Sequence, residues 1–283
     1  MRRGEGISPL ESLSGMMMAR SSSFTIRGGG RPVEFDQVRT IVFSPHADDA
    51  ALSCGGTILL GALPRPLAVV TAFSESAFVP GFGAELTREE AARRRAGEDA
   101  AFCAEIRATW IRLGLPDPLL RGYESFASMF DPRAEPRREP LFDALRGRVY
   151  SVPDVYPGAR LLLAPLGLGT HIDHLMLREA AKDLGRERGL PVAYYEDLPY
   201  ANEIEPDKIL DHALSVDAGL RPRDFDVSRV MEAKVRLVEI YASQDVSHFV
   251  RSVLAYGRRL AGPEPGWRER FWRDLNGRDW RDP

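Results

Sequence analysis

Five short, nearly unbroken apolar runs constrain this chain more than any other feature. They are VRTIVFSP (38–45), PLAVVTAF (66–73), TWIRLGL (109–115), RLLLAPL (160–166) and PVAYYED (191–197), bounded by Pro, Gly or Ser. A strand with one wet face alternates in polarity. A run that is apolar at successive positions suits a parallel strand covered on both faces. Helical patterns lie between the runs: AALSCGGTILLGAL after the first, TREEAARRRAGEDAAFCAEI before the third, and DHLMLREAAKDLGRERG after the fourth. The second of these opens on Thr87 with Glu90 three residues on, the spacing of a capping box, and the third stops at Gly189. The order β-α-β-α-β predicts a doubly wound, Rossmann-like α/β fold, a mostly parallel sheet with helices on both faces.

Three stretches fall outside that rhythm. Residues 1–32 lack a continuous apolar core and read as a flexible extension preceding a domain at 33–245. Residues 116–140 are rich in Pro and Arg and too long for an ordinary connection, which suits either the rim of a site or a solvated loop. Residues 246–283 carry Trp267, Trp272 and Trp280 among arginines. We expect a C-terminal helical extension there, packing on its own domain or on a second subunit in a homo-oligomer. A formal net charge of -3 argues against nucleic acid as a partner, and no apolar run reaches the roughly 18 residues of a membrane span. Cys54 and Cys103 lie far apart without a C-x-x-C pattern, so the expected compartment is reducing, the cytoplasm.

The chemistry concentrates at two strand ends. His46, Asp48 and Asp49 follow the first strand, and His171, Asp173 and His174 follow the fourth. Ligands of open parallel sheets bind beyond the carboxyl ends of strands, and a topological switch point can bring two such ends together. Three of the five histidines of the chain lie in these two stretches. His46 and Asp49 are spaced i, i+3, as are His171 and His174. Two imidazoles and one carboxylate leave a divalent ion an open position for water, and an adjacent carboxylate can take that water's proton. In this arrangement His46, Asp49 and His174 hold the ion, Asp48 is the base, and Asp173 orients His171 toward the substrate. Each motif alone has a plainer reading. His-x-Asp-Asp suits an Asx turn or a helix N-cap, Asp173 suits a cap, and Gly55 and Gly56 suit close packing.

SPHADDAALSCGGT and THIDHLM together resemble the paired motifs of the PIG-L/LmbE family of zinc-dependent N-deacetylases. RAGE (95–98) is similar to that family's Arg-x-x-Glu, and AKVRLVEIYASQ (233–244) to its Lys-containing helix ending in Tyr-x-Ser-Gln. The resemblance covers about residues 36–245. It implies Zn2+ on His46, Asp49 and His174, with Fe2+ suited to the same donors. It also implies Asp48 as general base, His171 stabilising the oxyanion or protonating the leaving amine, and Arg95 near the substrate. The implied reaction releases acetate from an N-acetylated sugar or glycoconjugate.

The chain departs from the pattern at Ala47 and Ile172, where proline is common, and at Gly169, where some branches carry tyrosine. A tyrosine for the oxyanion would then come from YYEDLPYA, as Tyr195 or Tyr200, with Asp197 and Tyr200 lining the substrate pocket. Two rival functions are weaker. A non-haem Fe(II) oxygenase uses a 2-His-1-carboxylate site but on a β-jelly-roll; a non-catalytic binding module lacks G-x-G-x-x-G after the first strand for a nucleotide, and as a sugar binder it would not need the complete set of ligands and base present here.

Overall fold

Alternation of buried strands with amphipathic helices organises the computed structural model, which describes residues 35–76, 79–80 and 86–274. In chain order the strands are β1 (Thr40–Ser44), β2 (Leu67–Thr71), β3 (Thr109–Arg112), β4 (Leu161–Pro165), β5 (Val192–Tyr195), β6 (Leu220–Asp226) and β7 (Arg268–Asp274). The α-helices are α1 (Asp49–Leu59), α2 (Arg88–Glu105), α3 (Phe126–Met129), α4 (Phe142–Val155), α5 (Ile172–Arg188), α6 (Pro206–Val216), α7 (Met231–Glu239) and α8 (Val246–Ala261). All five predicted strands are present. The capping box of α2 is formed, with Thr87 accepting from Glu90 N–H, and α5 ends on Gly189 in the left-handed region.

The seven strands form one sheet in the order β3-β2-β1-β4-β5-β7-β6. The first five in that order pair parallel, and every residue of β1, β2 and β4 is buried, as unbroken apolar runs require. β1 pairs with β2 on one side and β4 on the other, so the connection order reverses between β1 and β4. The two histidine-containing loops therefore leave neighbouring strands at the switch point.

The C-terminal stretch corrects one expectation. Helix is found over α8, but Trp272 lies in β7, which runs antiparallel between β5 and β6 inside the sheet. Residues 246–274 are therefore integral to the domain, with β7 inside its sheet. The physical reason is that β5 needs a partner along its free side. β7 supplies Phe271 opposite Tyr195 and Trp272 opposite Tyr194, all four buried. β6, with Arg221 and Pro222 exposed, is one edge of the sheet and β3 the other. Residues 1–32 and Trp280 lie outside the described residues.

Helix α1 is held close to β7 by one carboxylate. Glu269 accepts from Gly56 N–H (2.8 Å), Thr57 N–H (2.7 Å) and the Thr57 hydroxyl (2.6 Å), and pairs with buried Lys234 at 2.6 Å. A Cβ at Gly56 would sit 2.8 Å from Glu269 Oε1 and from Val227 Cγ1, so glycine is required by close approach. Cys54 and Cys103 are buried and unpaired, and no helix among the described residues is long and apolar enough to cross a membrane.

Candidate metal centre

The first motif sits where β1 turns into α1. Asp48 is the N-cap residue, at φ 111°, a left-handed conformation that costs a side-chain-bearing residue of order 1–3 kcal/mol. Its carboxylate does no capping. Ser44 takes part of that role, its hydroxyl accepting from Ala50 N–H, while Asp48 Oδ2 meets Arg95 at 3.3 Å. Asp49, the first helical residue, accepts from His46 N–H at 2.8 Å. The second motif opens α5, where His171 is the N-cap and its Nδ1 accepts from Asp173 N–H at 3.2 Å.

The three proposed ligands come together. Ligand atoms of His46, Asp49 and His174 all lie within 4.8 Å of one another. Asp49 Oδ2 is 3.4 Å from His46 Nδ1 and 3.5 Å from His174 Nε2. Outer carboxylates set the imidazole orientations: His46 Nε2 meets Asp173 Oδ2 at 3.0 Å, and His174 Nδ1 meets Asp197 Oδ1 at 2.6 Å. When each ring is neutral and those nitrogens donate, as a bound cation would require, the other nitrogen of each ring turns its lone pair toward Asp49. Such a cluster is repulsive unless positive charge stands within it, and His174 Nε2 is buried with no hydrogen-bond partner. A divalent cation fits these residues.

The charges sort the four carboxylates. Arg95 faces Asp48, Arg121 faces Asp173 at 2.6 Å, and Asp197 takes His174 Nδ1–H with the Gly167 and Leu168 N–H groups. Asp49 alone of the four lies between two imidazoles and beside no guanidinium. Burial pushes the Asp48 carboxyl up to about 7, against the nearby Arg95 charge. Burial acts on Asp49 in the same direction, but His174 and the His46 hydrogen bonds hold it below the usual carboxylate range. Burial would lower His46, yet its bonds to Asp173 and Asp49 carry it up to about 10. Burial, with the charges of His46 and His174, drives His171 well below its ordinary value, so it is neutral.

Several predicted roles change. Arg95, expected near the substrate, is buried beside Asp48, donating to Ala47 O (2.7 Å) and to the Asp48 carboxylate. Asp197 was expected in the pocket wall; it is fully buried behind His174. Asp173 was expected to orient His171 or to cap; its carboxylate instead holds His46, and only its N–H reaches His171. Tyr195 is engaged elsewhere, donating to Phe43 O at 2.9 Å. Tyr200 is at the centre, its ring 5.4 Å from His174 and 6.4 Å from His171. Gly169, at φ +77°, leaves the space this ring fills, since a Cβ there would lie 2.6 Å from Tyr200 Cβ.

Sequence reasoning missed Arg121, Tyr123 and Phe130 as site residues, although it marked their segment. Phe130 packs edge-on against His171 (4.9 Å) and Tyr200 (5.3 Å), and its carbonyl accepts from Thr170. Pro and Arg content marks a loop but not what the loop covers. The remaining family-like marks are struts: Glu98 accepts from Ser243 N–H and hydroxyl, and Tyr241 donates to Asp99.

Residues 41–184 match the PIG-L family, described as GlcNAc-PI de-N-acetylase. The 2'-N-acetylparomamine deacetylase of Streptomyces fradiae is 33% identical over 236 residues, 79% of this chain and 79% of that protein. The crystal structure of the A40926 pseudoaglycone deacetylase shares 26% identity at a TM-score of 0.63, over 84% of this chain and 97% of that one. A deacetylase of the teicoplanin biosynthesis pathway shares 25% at a TM-score of 0.65, over 85% of this chain and 100% of that one.

Proposed function

This chain belongs to the PIG-L family, and on that premise we propose that it is a zinc-dependent hydrolase removing the N-acetyl group from an amino sugar of a glycoside. The observation that carries the reading is the sorting of charge: Asp49, His46 and His174 converge without a guanidinium, while Asp48 stands beside them with one. His46, Asp49 and His174 would hold the ion. When bound, it supplies a Lewis acid that polarises the acyl carbonyl and lowers the pKa of a water. Ferrous iron suits the same donors, and the parallel α/β fold sets the site apart from jelly-roll oxygenases.

Asp48 takes the proton of the attacking water. Burial brings its carboxyl to about 7, suited to accepting a proton near neutral pH and returning it. It returns that proton to the departing nitrogen, so the C–N bond breaks to acetate and a free amine. His171 serves the carbonyl oxygen. Because its Nδ1 accepts from Asp173 N–H, its ring proton is on Nε2, and the neutral ring donates a hydrogen bond to the developing oxyanion. This geometry favours oxyanion stabilisation over protonation of the amine. Phe130 and Tyr200, both half-buried, give a sugar ring an apolar wall. The three relatives, each named for deacetylation, support acyl-amide hydrolysis, and the paromamine deacetylase supports a small aminoglycoside-like substrate. We place the reaction in the cytoplasm, in keeping with two unpaired cysteines.

The test is acetate release from 2'-N-acetylparomamine and from N-acetylglucosaminides, with metal content, for the wild type and Asp48→Asn. One divalent ion in both proteins, with acetate from the wild type alone, is the expected result. A folded wild type that takes up neither zinc nor iron overturns the reading.

A further inference from the structure

A second set of donors lies beside the first. His46, His171 and Asp173 also bring ligand atoms within 4.8 Å of one another, two imidazoles and a carboxylate, the same composition as the first cluster. His46 belongs to both, with Nδ1 toward Asp49 and Nε2 toward Asp173. By composition alone the centre could take two ions bridged by His46.

The space beside Asp173 already contains a positive charge. An Arg121 terminal nitrogen donates to Asp173 Oδ1 at 2.6 Å, and its side chain is only 10% exposed. The other terminal nitrogen donates to Pro116 O at 3.0 Å. The guanidinium lies over the rings of Phe73 (5.2 Å) and Tyr123 (5.5 Å). Its Nε is buried with no hydrogen-bond partner, so carbonyl contacts alone do not account for the group being drawn inside. The fully buried Asp173 carboxylate does.

We propose that Arg121 is the resident cation of the His46–His171–Asp173 cluster, keeping a second divalent ion out so that the centre binds one. The inference rests on the reading that His46, Asp49 and His174 hold a divalent ion. Arg121 lies in the long 116–140 segment, so that insertion sets the metal count as well as the wall of the site. By holding Asp173, Arg121 also keeps His46 Nε2 engaged and its Nδ1 turned to the first cluster.

The experiment is zinc stoichiometry by equilibrium dialysis against buffered free zinc, with elemental analysis of the protein. The proteins are the wild type, Arg121→Lys, Arg121→Gln, Arg121→Ala and Arg121→Gln with Asp173→Asn, each checked for folding by circular dichroism. We expect one zinc in the wild type and in Arg121→Lys, which keeps the charge. We expect two in Arg121→Gln or Arg121→Ala, and one again when Asp173 is also neutralised. Recovery by lysine separates the charge from mere packing. Two ions in the wild type, or one in every folded variant, overturns the role of Arg121 and leaves the metal centre standing. No zinc in any folded protein removes the metal centre itself, a distinct failure.

Discussion

His174 Nε2 lies 3.5 Å from Asp49 Oδ2, buried and without a hydrogen bond, while Nδ1 of the same ring is fixed by Asp197 at 2.6 Å. One side of the imidazole is anchored and the other is presented. On the proposed reading the anchor is as much a part of ion binding as the ligand. Asp197→Asn should weaken zinc affinity by about 10–100-fold, as loss of such supporting carboxylates does. Competition against a chromogenic chelator reads this directly. Unchanged affinity would return Asp197 to a purely structural role.

Arg95 reaches Asp48 and the Ala47 carbonyl and is buried. Arg95→Met should therefore lower kcat by roughly 100-fold, within the range of general acid–base contributions, with KM little changed. Steady-state kinetics on the deacetylation substrate separates the two constants. A large rise in KM at unchanged kcat would put Arg95 back in contact with the substrate.

Gly169 and Tyr200 are complementary. Gly169→Ala places a Cβ 2.6 Å from Tyr200 Cβ at a backbone φ of +77°. The strain and overpacking should cost about 1–3 kcal/mol, seen as a lower Tm. Adding Tyr200→Gly, which removes Cβ together with the ring, should relieve the overpacking and leave the φ strain, so the double mutant is more stable than the sum of the singles predicts. Strict additivity in that cycle would mean the two sites do not compete for space.

Glu196 gives stability a pH dependence. Trp272 Nε1–H and the Tyr256 hydroxyl both donate to its carboxylate, yet burial dominates and raises its pKa from 4.5 to about 7. Because the folded pKa is above the unfolded one, the native state binds more protons between these values. The contribution of Glu196 is complete below pH 4.5 and is lost as pH rises through about 7. The change amounts to roughly 3 kcal/mol at most. Glu196→Gln should flatten this part of the Tm-against-pH curve, and a curve of unchanged slope would exclude Glu196 as its source.

Much of the fold was legible because its signals are local. Unbroken apolar runs mark β1 to β5, Thr87 and Glu90 mark the start of α2, and Gly189 marks the end of α5. β6 and β7 were not legible. LRPRDFD and RERFWRD carry charge at most positions, and what makes them strands is pairing with each other and with β5, some 75 residues before β7.

The same division runs through the site. The sequence by itself determined which residues gather at the switch point, because His46, Asp48 and Asp49 follow one strand and His171, Asp173 and His174 another. Only the tertiary structure decided their partners: Arg95 with Asp48, Arg121 with Asp173, and Asp197 with His174. Residue type and spacing along the chain determine which groups a local segment presents. Which buried charge neutralises which depends on distances of a few ångströms between segments 23 to 127 residues apart, and only the packed chain sets those.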